Sequence, residues 1–280
     1  MSFFTAILLG LIQGITSFLP VSTSAHQAII HNLFHLDVPS EGIGFFNFLM
    51  NLSTLVSIFL VWRDELVSMF QEGADFLRGK TETNHVGEGR LTPPLRMIYF
   101  IVIATLPLIL SVPINQRADI LMENVTFVGC AMLAMGAVLY ASDRFIHYGK
   151  KAEKTMDTKD ALIIGLAQAF AAIPGLSRVG TSLSLSLAQG LDKDFAVRFS
   201  VWLSLPSLLI ATFISFFSIF KGGMTWPSFF TYLVAFILSV LTGYLAIQTL
   251  RILTAQRRLK YFAFYLWGAG FLTVILSFIL

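Results

Sequence analysis

The chain has 280 residues, of which 56% are hydrophobic and 12% are charged, and its mean hydropathy is +0.77. Soluble domains carry about 25% charged residues, so this composition excludes an ordinary soluble globular protein. A single cysteine excludes an intrachain disulfide and a cysteine metal cluster. We attribute the net charge of +3 to membrane topology rather than to a nucleic-acid partner.

The first hydrophobic stretch, residues 2–36, is broken at Pro20. Proline removes a backbone donor, and hydroxyl residues favour helix starts, so the stretch is predicted to form two half-helices. Three consecutive hydroxyl residues mark the start of the second one: Ser22, Thr23 and Ser24. A helix N-terminus attracts anions through its free N–H groups and its dipole, so this start is a predicted phosphate site.

Other polar side chains of the same stretch are predicted to face that anion. Gln13 and Ser17 are four residues apart and therefore share one helix face. His26 lies one turn into the second half-helix and can act as acid, base or nucleophile near neutral pH. Further along, Asn47 and Asn51 either line the same cavity or join helices by hydrogen bonds.

Six apolar runs are long enough to cross a bilayer as helices. They cover residues 44–62, 96–114, 122–142, 197–219, 228–250 and 261–279.

A second stretch, residues 160–190, is broken at Pro174-Gly175 and carries Arg178 just after the break. A charge inside the membrane is a functional hypothesis by default because it is costly to hold there. The planar guanidinium suits phosphate oxygens, and Arg178 is expected opposite His26, so that the two side chains hold a phosphate between them. The alternative is a structural role, in which Arg178 pairs with carbonyl oxygens freed at the helix break.

The basic residues predict the topology. If both broken segments are re-entrant, the six spans place loops 63–95, 143–159 and 251–260, with the 191–196 turn, on one face. Of the 19 Lys and Arg, all but Arg117, Lys221 and Arg178 fall on that face or its helix ends. The positive-inside rule makes it cytoplasmic and puts both termini outside.

An internal repeat is indicated by the tetrapeptide Gly-Leu-Ile-Gln at residues 10–13, which returns as Gly-Leu-Ala-Gln at residues 165–168. Within one membrane domain, 1–280, we predict a first half, 1–142, and a second half, 158–280. Each half has one broken segment and three spans, so the second half is inverted and the two breaks meet near the midplane. The predicted fold is an all-α polytopic membrane protein with six transmembrane helices and two re-entrant helix-loop-helix segments in an inverted repeat.

The strings at residues 13–26, 169–182 and 198–206 carry a family resemblance that extends over essentially the whole chain. The chain resembles the undecaprenyl pyrophosphate phosphatases of bacterial envelopes. Members of that family remove the terminal phosphate of a C55 polyprenyl diphosphate at the outer face of the plasma membrane. They regenerate the monophosphate carrier for peptidoglycan synthesis, and bacitracin resistance is linked to this activity.

The resemblance implies roles for individual residues. It makes His26 the catalytic histidine, places Thr23 beside Ser22 at the position of the proposed serine nucleophile, and makes Arg178 the phosphate-binding arginine. The other predicted substrate-binding residues are Ser24, Ser177, Gly180, Thr181, Ser182, Gln13, Ser17, Asn47 and Gln168. The predicted partners are the polyprenyl diphosphate and membrane lipids, without nucleic acid; a homodimer is left open.

Three positions depart from the family pattern. Ser17 stands where the family has glutamate, Asn47 where an acid is common, and Val179 where serine is common. No Asp or Glu then remains in the predicted membrane core, so no metal site made by the protein is predicted, and Mg²⁺ or Ca²⁺ would arrive with the diphosphate. The departure leaves two functions open: hydrolysis of the diphosphate, or non-hydrolytic flipping or binding of a polyprenyl phosphate.

Overall fold

An apolar chain in a bilayer must satisfy its backbone hydrogen bonds internally, and helices do so within each segment. The computed structural model describes residues 2–34, 42–80, 91–145, 149–221 and 226–279, and within these ranges it contains no β-strand, only an isolated bridge between Lys151 and Leu191. The helices are α1 (Phe3–Phe18), α2 (Thr23–Phe34), α3 (Ile43–Leu77), α4 (Pro93–Thr105), α5 (Val112–Asn115), α6 (Ala118–Glu123), α7 (Val125–Phe145), α8 (Thr158–Phe170), α9 (Arg178–Ala188), α10 (Lys193–Trp202), α11 (Leu205–Ser218), α12 (Trp226–Ala255) and α13 (Lys260–Ile279).

Within the described ranges, six stretches are long and apolar enough to span a membrane. They are Ile43–Leu77, Pro93–Asn115, Val125–Phe145, Lys193–Ser218, Ser228–Ala255 and Lys260–Ile279. Each overlaps one predicted span, so the number and order of the spans are confirmed. The chain is a multi-pass membrane protein.

The first span is longer than predicted. The helix α3 continues to Leu77, and a non-helical residue, Trp62 (φ −128°, ψ 36°), marks a kink within it. The predicted loop 63–95 is therefore wrong in its first part. Polar residues begin at Arg63 and end the apolar run, but hydropathy does not show that the helix continues past that point. Residues 81–90 of that loop lie outside the described ranges. Trp62 is buried and its ring meets that of Trp202 edge-on, 6.0 Å between centroids.

Two of the spans are interrupted by proline. The second changes from α4 to a 3₁₀ segment, Leu106–Ser111, and then to α5, with Pro107 and Pro113 in the first turns of the later two. The fourth span divides into α10 and α11, with Pro206 in the first turn of α11. Proline has no N–H to continue a helix, so the α-helix of each of these two spans is interrupted part-way along the span.

The two predicted breaks are present. The first separates α1 from α2 at residues 19–22, and the second separates α8 from α9 at residues 171–177. Ser22 has a left-handed φ of +69°, uncommon for a residue with a side chain, and Gly175 has φ +105°. Serine caps both later helices: Ser22 Oγ accepts from the Ala25 N–H at 3.3 Å, and Ser177 Oγ from the Gly180 N–H at 3.1 Å.

Packing crosses between the two parts of the chain. The helix α1 lies against α12, α8 against α4, and α7 against α13. Three connections predicted to share one face are also in contact. Lys193 Nζ donates to the Ala255 carbonyl at 2.8 Å, the Leu259 N–H donates to Asp143 Oδ1 at 3.2 Å, and residues 151 and 191 form the isolated bridge.

Candidate active site

A polar cavity of about 430 Å³ lies where the two broken segments meet the interrupted second and fourth spans. Its lining combines the end of α1, the start of α2, the break before α9 and the proline-broken spans. Eight predicted site residues line it: Gln13, Ser17, Ser22, Thr23, Ser24, Gln168, Ser177 and Arg178. The structure therefore brings these predicted residues of the two breaks together around one cavity, while their roles in a site stay predictions.

The two breaks touch directly. A Cβ added to Gly180, in the first turn of α9, would lie 3.1 Å from Cβ of Pro20 and 2.7 Å from Cε of Met135. Any larger residue at Gly180 would push the segments apart. The close approach brings the first residue of α2, Thr23, and the first residue of α9, Arg178, to the same cavity. Both helix N-termini therefore border the space, which favours an anion.

Arg178 is the cation of this cavity. Its side chain is exposed to it, and Nη1 donates to Ser207 Oγ at 3.3 Å. Among the described residues, no carboxylate pairs with it. The structural alternative, pairing with freed carbonyl oxygens, finds no such bond at Arg178 in the described part of the chain. A guanidinium without a counter-ion inside a membrane protein is costly, so the arrangement calls for an anionic ligand.

Two hydroxyls of the triplet form hydrogen bonds, and the third forms none with any described residue. Ser22 Oγ lies 3.2 Å from Ser24 Oγ and also caps α2. The Thr23 hydroxyl lines the cavity, and no described residue forms a hydrogen bond with it. It is thus available to a ligand in the cavity.

His26 lies to the side of the cavity rather than in its lining. Nδ1 is 2.8 Å from the Ser22 carbonyl oxygen, and Nε2 is 2.6 Å from the hydroxyl of Tyr265 on α13. The pairing of His26 with Arg178 across one space, expected from the sequence, is therefore replaced by a pairing with the last helix. The nucleophile and base roles of His26 remain predictions.

Four other predicted residues lie away from the lining of this cavity. Thr181 Oγ1 and Ser182 Oγ donate to carbonyls of their own helix, at 2.9 Å to Ser177 and 2.7 Å to Arg178. Gly180 is buried at the contact with Pro20. Asn47 instead lines a neighbouring, more apolar chamber of about 380 Å³, which shares Gln13 and other residues with the first.

Seven lining residues were missed from the sequence. Two, Thr16 and Gln27, lie on the first broken segment, and the others come from spans that were taken as continuous: Thr54, Ser111, Asn115, Ser204 and Ser207. Asn51, for which the sequence left two roles open, lines the cavity and its Nδ2 also donates to Ser215 Oγ at 3.2 Å. A signal was present: Pro107, Pro113 and Pro206 each stand inside an apolar run, with a serine within four residues. Proline frees backbone groups that only a polar interior can satisfy, so these breaks mark cavity walls.

The two glutamines of the repeated tetrapeptide hold similar places. Gln13 Nε2 donates to Thr54 Oγ1 at 3.3 Å, and Gln168 Nε2 donates to the Leu203 carbonyl at 3.2 Å. Oε1 of Gln168 is buried without a hydrogen-bond partner. Both glutamines are among the residues that line the cavity.

A divalent cation held by the protein does not fit this donor set. Within the described ranges, no three His, Cys, Asp or Glu side chains lie together, and the cavity lining that the structure describes consists of amides, hydroxyls, apolar groups and one guanidinium. Carboxylates are the usual protein ligands of Mg²⁺ and Ca²⁺.

Comparison with known proteins extends the likeness to the whole chain. The family model described as bacitracin resistance protein BacA matches residues 6–272. The chain is 33% identical to an undecaprenyl-diphosphatase of Alkaliphilus metalliredigens, with 99% of each chain covered, and 32% identical to one of Methanobrevibacter smithii, with 96% of each covered. It is 31% identical to undecaprenyl-diphosphatase 1 of Shouchella clausii, over 100% of this chain and 96% of that one.

The predicted family resemblance is confirmed by these matches, which include both broken segments. The chain belongs to the bacitracin resistance protein BacA family.

Proposed function

We propose that the chain hydrolyses undecaprenyl diphosphate to the monophosphate at the outer face of a bacterial plasma membrane. The observation that carries this proposal is Arg178, a cation without a carboxylate partner among the described residues, facing a polar cavity bordered by two helix N-termini. The names of the relatives favour hydrolysis over the flipping alternative. The product would be the carrier lipid of cell-wall synthesis.

The diphosphate would bind with its terminal phosphate between the starts of α2 and α9. Arg178 would hold phosphate oxygens and stabilise the charge that develops on the phosphoryl group. Hydroxyls of Ser22 and Ser24, with the N–H groups at the start of α2, would complete the anion site. The prenyl tail would leave through the more apolar chamber next to it.

Thr23 is the better nucleophile candidate of the two that the sequence offered. Its hydroxyl lines the cavity, whereas both ring nitrogens of His26 have other partners. In the proposed step, Thr23 Oγ1 bonds to the terminal phosphorus while the bridging P–O bond breaks, and the leaving monophosphate takes the hydroxyl proton. Water then cleaves the phosphothreonine, which releases inorganic phosphate and restores the hydroxyl.

A divalent cation would enter with the substrate. Because the cavity offers no carboxylate within the described residues, Mg²⁺ or Ca²⁺ would be bound mainly by the diphosphate and water. It would neutralise phosphate charge, and none of the steps above passes through it.

An inverted repeat accounts for the site. Gly10, Gln13 and Ser22 correspond to Gly165, Gln168 and Ser177 at one constant interval of 155 residues. The contacts exchange accordingly: Gly10 approaches the carbonyl of Ala235 in α12, and Gly165 that of Ala104 in α4. We therefore propose that residues 1–142 and 158–280 are inverted halves, that α1–α2 and α8–α9 are re-entrant, and that both termini are outside.

The test is phosphate release from a polyprenyl diphosphate by the purified protein in detergent, over a range of Mg²⁺ and Ca²⁺ concentrations. Arg178→Ala is expected to lower kcat/KM by about 10²–10³-fold because a preorganised charge is lost. Arg178→Lys keeps the charge but not the planar fork and should lose about tenfold.

The matched control is Arg63→Ala. Arg63 is a surface arginine paired with Asp64 and lies far from the cavity lining, so its removal should leave the rate unchanged. If the unaltered protein releases no more phosphate than Arg178→Ala under every condition, the proposed activity is wrong.

A further inference from the structure

Tyr265 of α13 is linked to the start of α2 through one histidine. The Tyr265 hydroxyl lies 2.6 Å from His26 Nε2, the two rings are parallel within 1°, and their centroids are 5.8 Å apart. His26 Nδ1 lies 2.8 Å from the carbonyl oxygen of Ser22. Ser22 is the residue with left-handed φ at the edge of the cavity.

The hydrogen-bond partners of His26 determine which of its ring nitrogens carries a proton. A carbonyl oxygen only accepts, so His26 Nδ1 must carry the proton of that hydrogen bond. The described residues place no carboxylate in an ion pair with His26, and an unpaired imidazolium is costly in a membrane interior. The ring is therefore neutral, and its Nε2 lone pair accepts from the Tyr265 hydroxyl.

The hydrogen bonds from Tyr265 through His26 end at Ser22, whose left-handed turn precedes the hydroxyls of Thr23 and Ser24. The Ser22 carbonyl accepts from His26, while Ser22 Oγ caps α2 by accepting from the Ala25 N–H. Left-handed conformations of non-glycine residues persist only where surrounding contacts hold them. The Tyr265–His26 pair is such a contact, and it anchors the turn to a helix from the far end of the chain.

We propose that Tyr265 is a positioning residue that acts through His26: together they brace the Ser22 turn and so hold Thr23 toward the cavity. This inference rests on the proposed function for its kinetic consequence. Its structural part, the tautomer of His26 and its dependence on Tyr265, stands apart from activity.

The structural arm is ¹⁵N NMR of histidine-labelled protein in detergent, with the His26 signals identified by their loss in His26→Ala. The expected spectrum shows the neutral ring with the proton on Nδ1 and a hydrogen-bonded Nε2. Tyr265→Phe should shift the Nε2 signal. Tyr261→Phe, a matched change one turn earlier on α13, where Tyr261 contacts Lys260, should not.

The kinetic arm is a double-mutant cycle with phosphate release as the readout. Tyr265→Phe should lower kcat about three- to tenfold, as expected for one lost hydrogen bond, with KM within about twofold. In a His26→Ala background, Tyr265→Phe should cause no further loss. Unfolding temperatures of all variants in detergent identify any that fail to fold. If the His26→Ala variants do, the NMR comparison of Tyr265→Phe with Tyr261→Phe decides.

Three results would each overturn the proposed role of Tyr265. One is a proton on His26 Nε2, and another is a His26 spectrum that Tyr265→Phe leaves unchanged. The third is a loss of kcat from Tyr265→Phe that is equally large in the His26→Ala background. If the unaltered protein releases no phosphate, the proposed function fails, while the NMR arm still decides whether Tyr265 sets the state of His26.

Discussion

At the residue scale, the site depends on side chains whose charge or hydroxyl has no partner among the described residues. Arg178 faces the cavity without a carboxylate partner in the described part of the chain, and the Thr23 hydroxyl lines the same cavity without a hydrogen bond. Groups left free in a membrane interior are costly, so they indicate where the ligand binds. Ser17 lines the same cavity where the resemblance implies glutamate.

Two substitutions of Thr23 distinguish the role of its hydroxyl from that of its branched shape. Thr23→Val keeps the branched shape and removes the nucleophile, so phosphate release should fall to the level without enzyme. Thr23→Ser keeps a less hindered hydroxyl and should retain the activity of the unaltered protein or exceed it. Initial rates with a polyprenyl diphosphate measure both, and an active Thr23→Val would exclude Thr23 as nucleophile.

Introduction of a carboxylate tests the departure at Ser17. Ser17→Glu would place an acid in the cavity, where it can take the proton of an attacking group or bind Mg²⁺. We expect phosphate release to rise about tenfold or more and to depend more steeply on Mg²⁺. The control is Ser17→Gln, which has the same length without the charge. Equal rates of the two variants would show that the missing carboxylate does not limit the reaction.

At the scale of elements, the broken segments pack closely against neighbouring helices because glycine stands at the points of contact. Gly165 of α8 faces the carbonyl of Ala104 in α4, and an added Cβ would lie only 2.1 Å from that oxygen. Small residues let helices approach in membranes, where packing rather than the hydrophobic effect holds them together. These contacts hold the half-helix α8 in place and so position the second break.

Addition of one methyl group should disturb this packing. Gly165→Ala should destabilise the protein by about 1–3 kcal/mol because the helices must separate. Gly268→Ala, on α13, is the matched control: nothing lies within 4 Å of the added Cβ, so it should be neutral or stabilising by up to about 1 kcal/mol. Unfolding temperatures in detergent provide the comparison, and an equal effect of the two changes would contradict this role of Gly165.

At the scale of the whole molecule, the predicted topology places the basic connections at one end. Several of them contact one another there, as Arg251 pairs with Asp194 at 2.9 Å and Arg198 with Glu153 at 3.4 Å. If these connections are cytoplasmic, the re-entrant arrangement leaves the N-terminus and the turn at Gln116 outside.

Accessibility to a membrane-impermeant maleimide tests this arrangement. In a Cys130→Ala background, Ser2→Cys and Gln116→Cys should react from the outside of intact cells, because both would lie on the outer face. Gln256→Cys, in an exposed turn after α12, should react only in inverted vesicles. Reaction of Ser2→Cys and Gln116→Cys from opposite sides would make α1–α2 a complete span and rule out re-entrance.

The sequence by itself determined what local chemistry controls. Twenty-residue apolar runs can only satisfy their backbone as helices in lipid, so six spans were predictable. Pro20 and Pro174 with the serines after them fixed the two breaks, because proline ends a helix and serine starts one. The charge of Arg178 within an apolar stretch marked it as a candidate ligand-binding residue, a role that stays a prediction.

Only the tertiary structure decided which distant residues become neighbours at and around the cavity. Ser207 reaches Arg178 because the fourth span breaks beside the second broken segment, and Tyr265 reaches His26 from 239 residues away. Hydropathy reports burial along one segment and carries no information on which helices become neighbours. His26 was therefore predicted opposite Arg178, whereas packing of α13 beside α2 gave it a tyrosine instead.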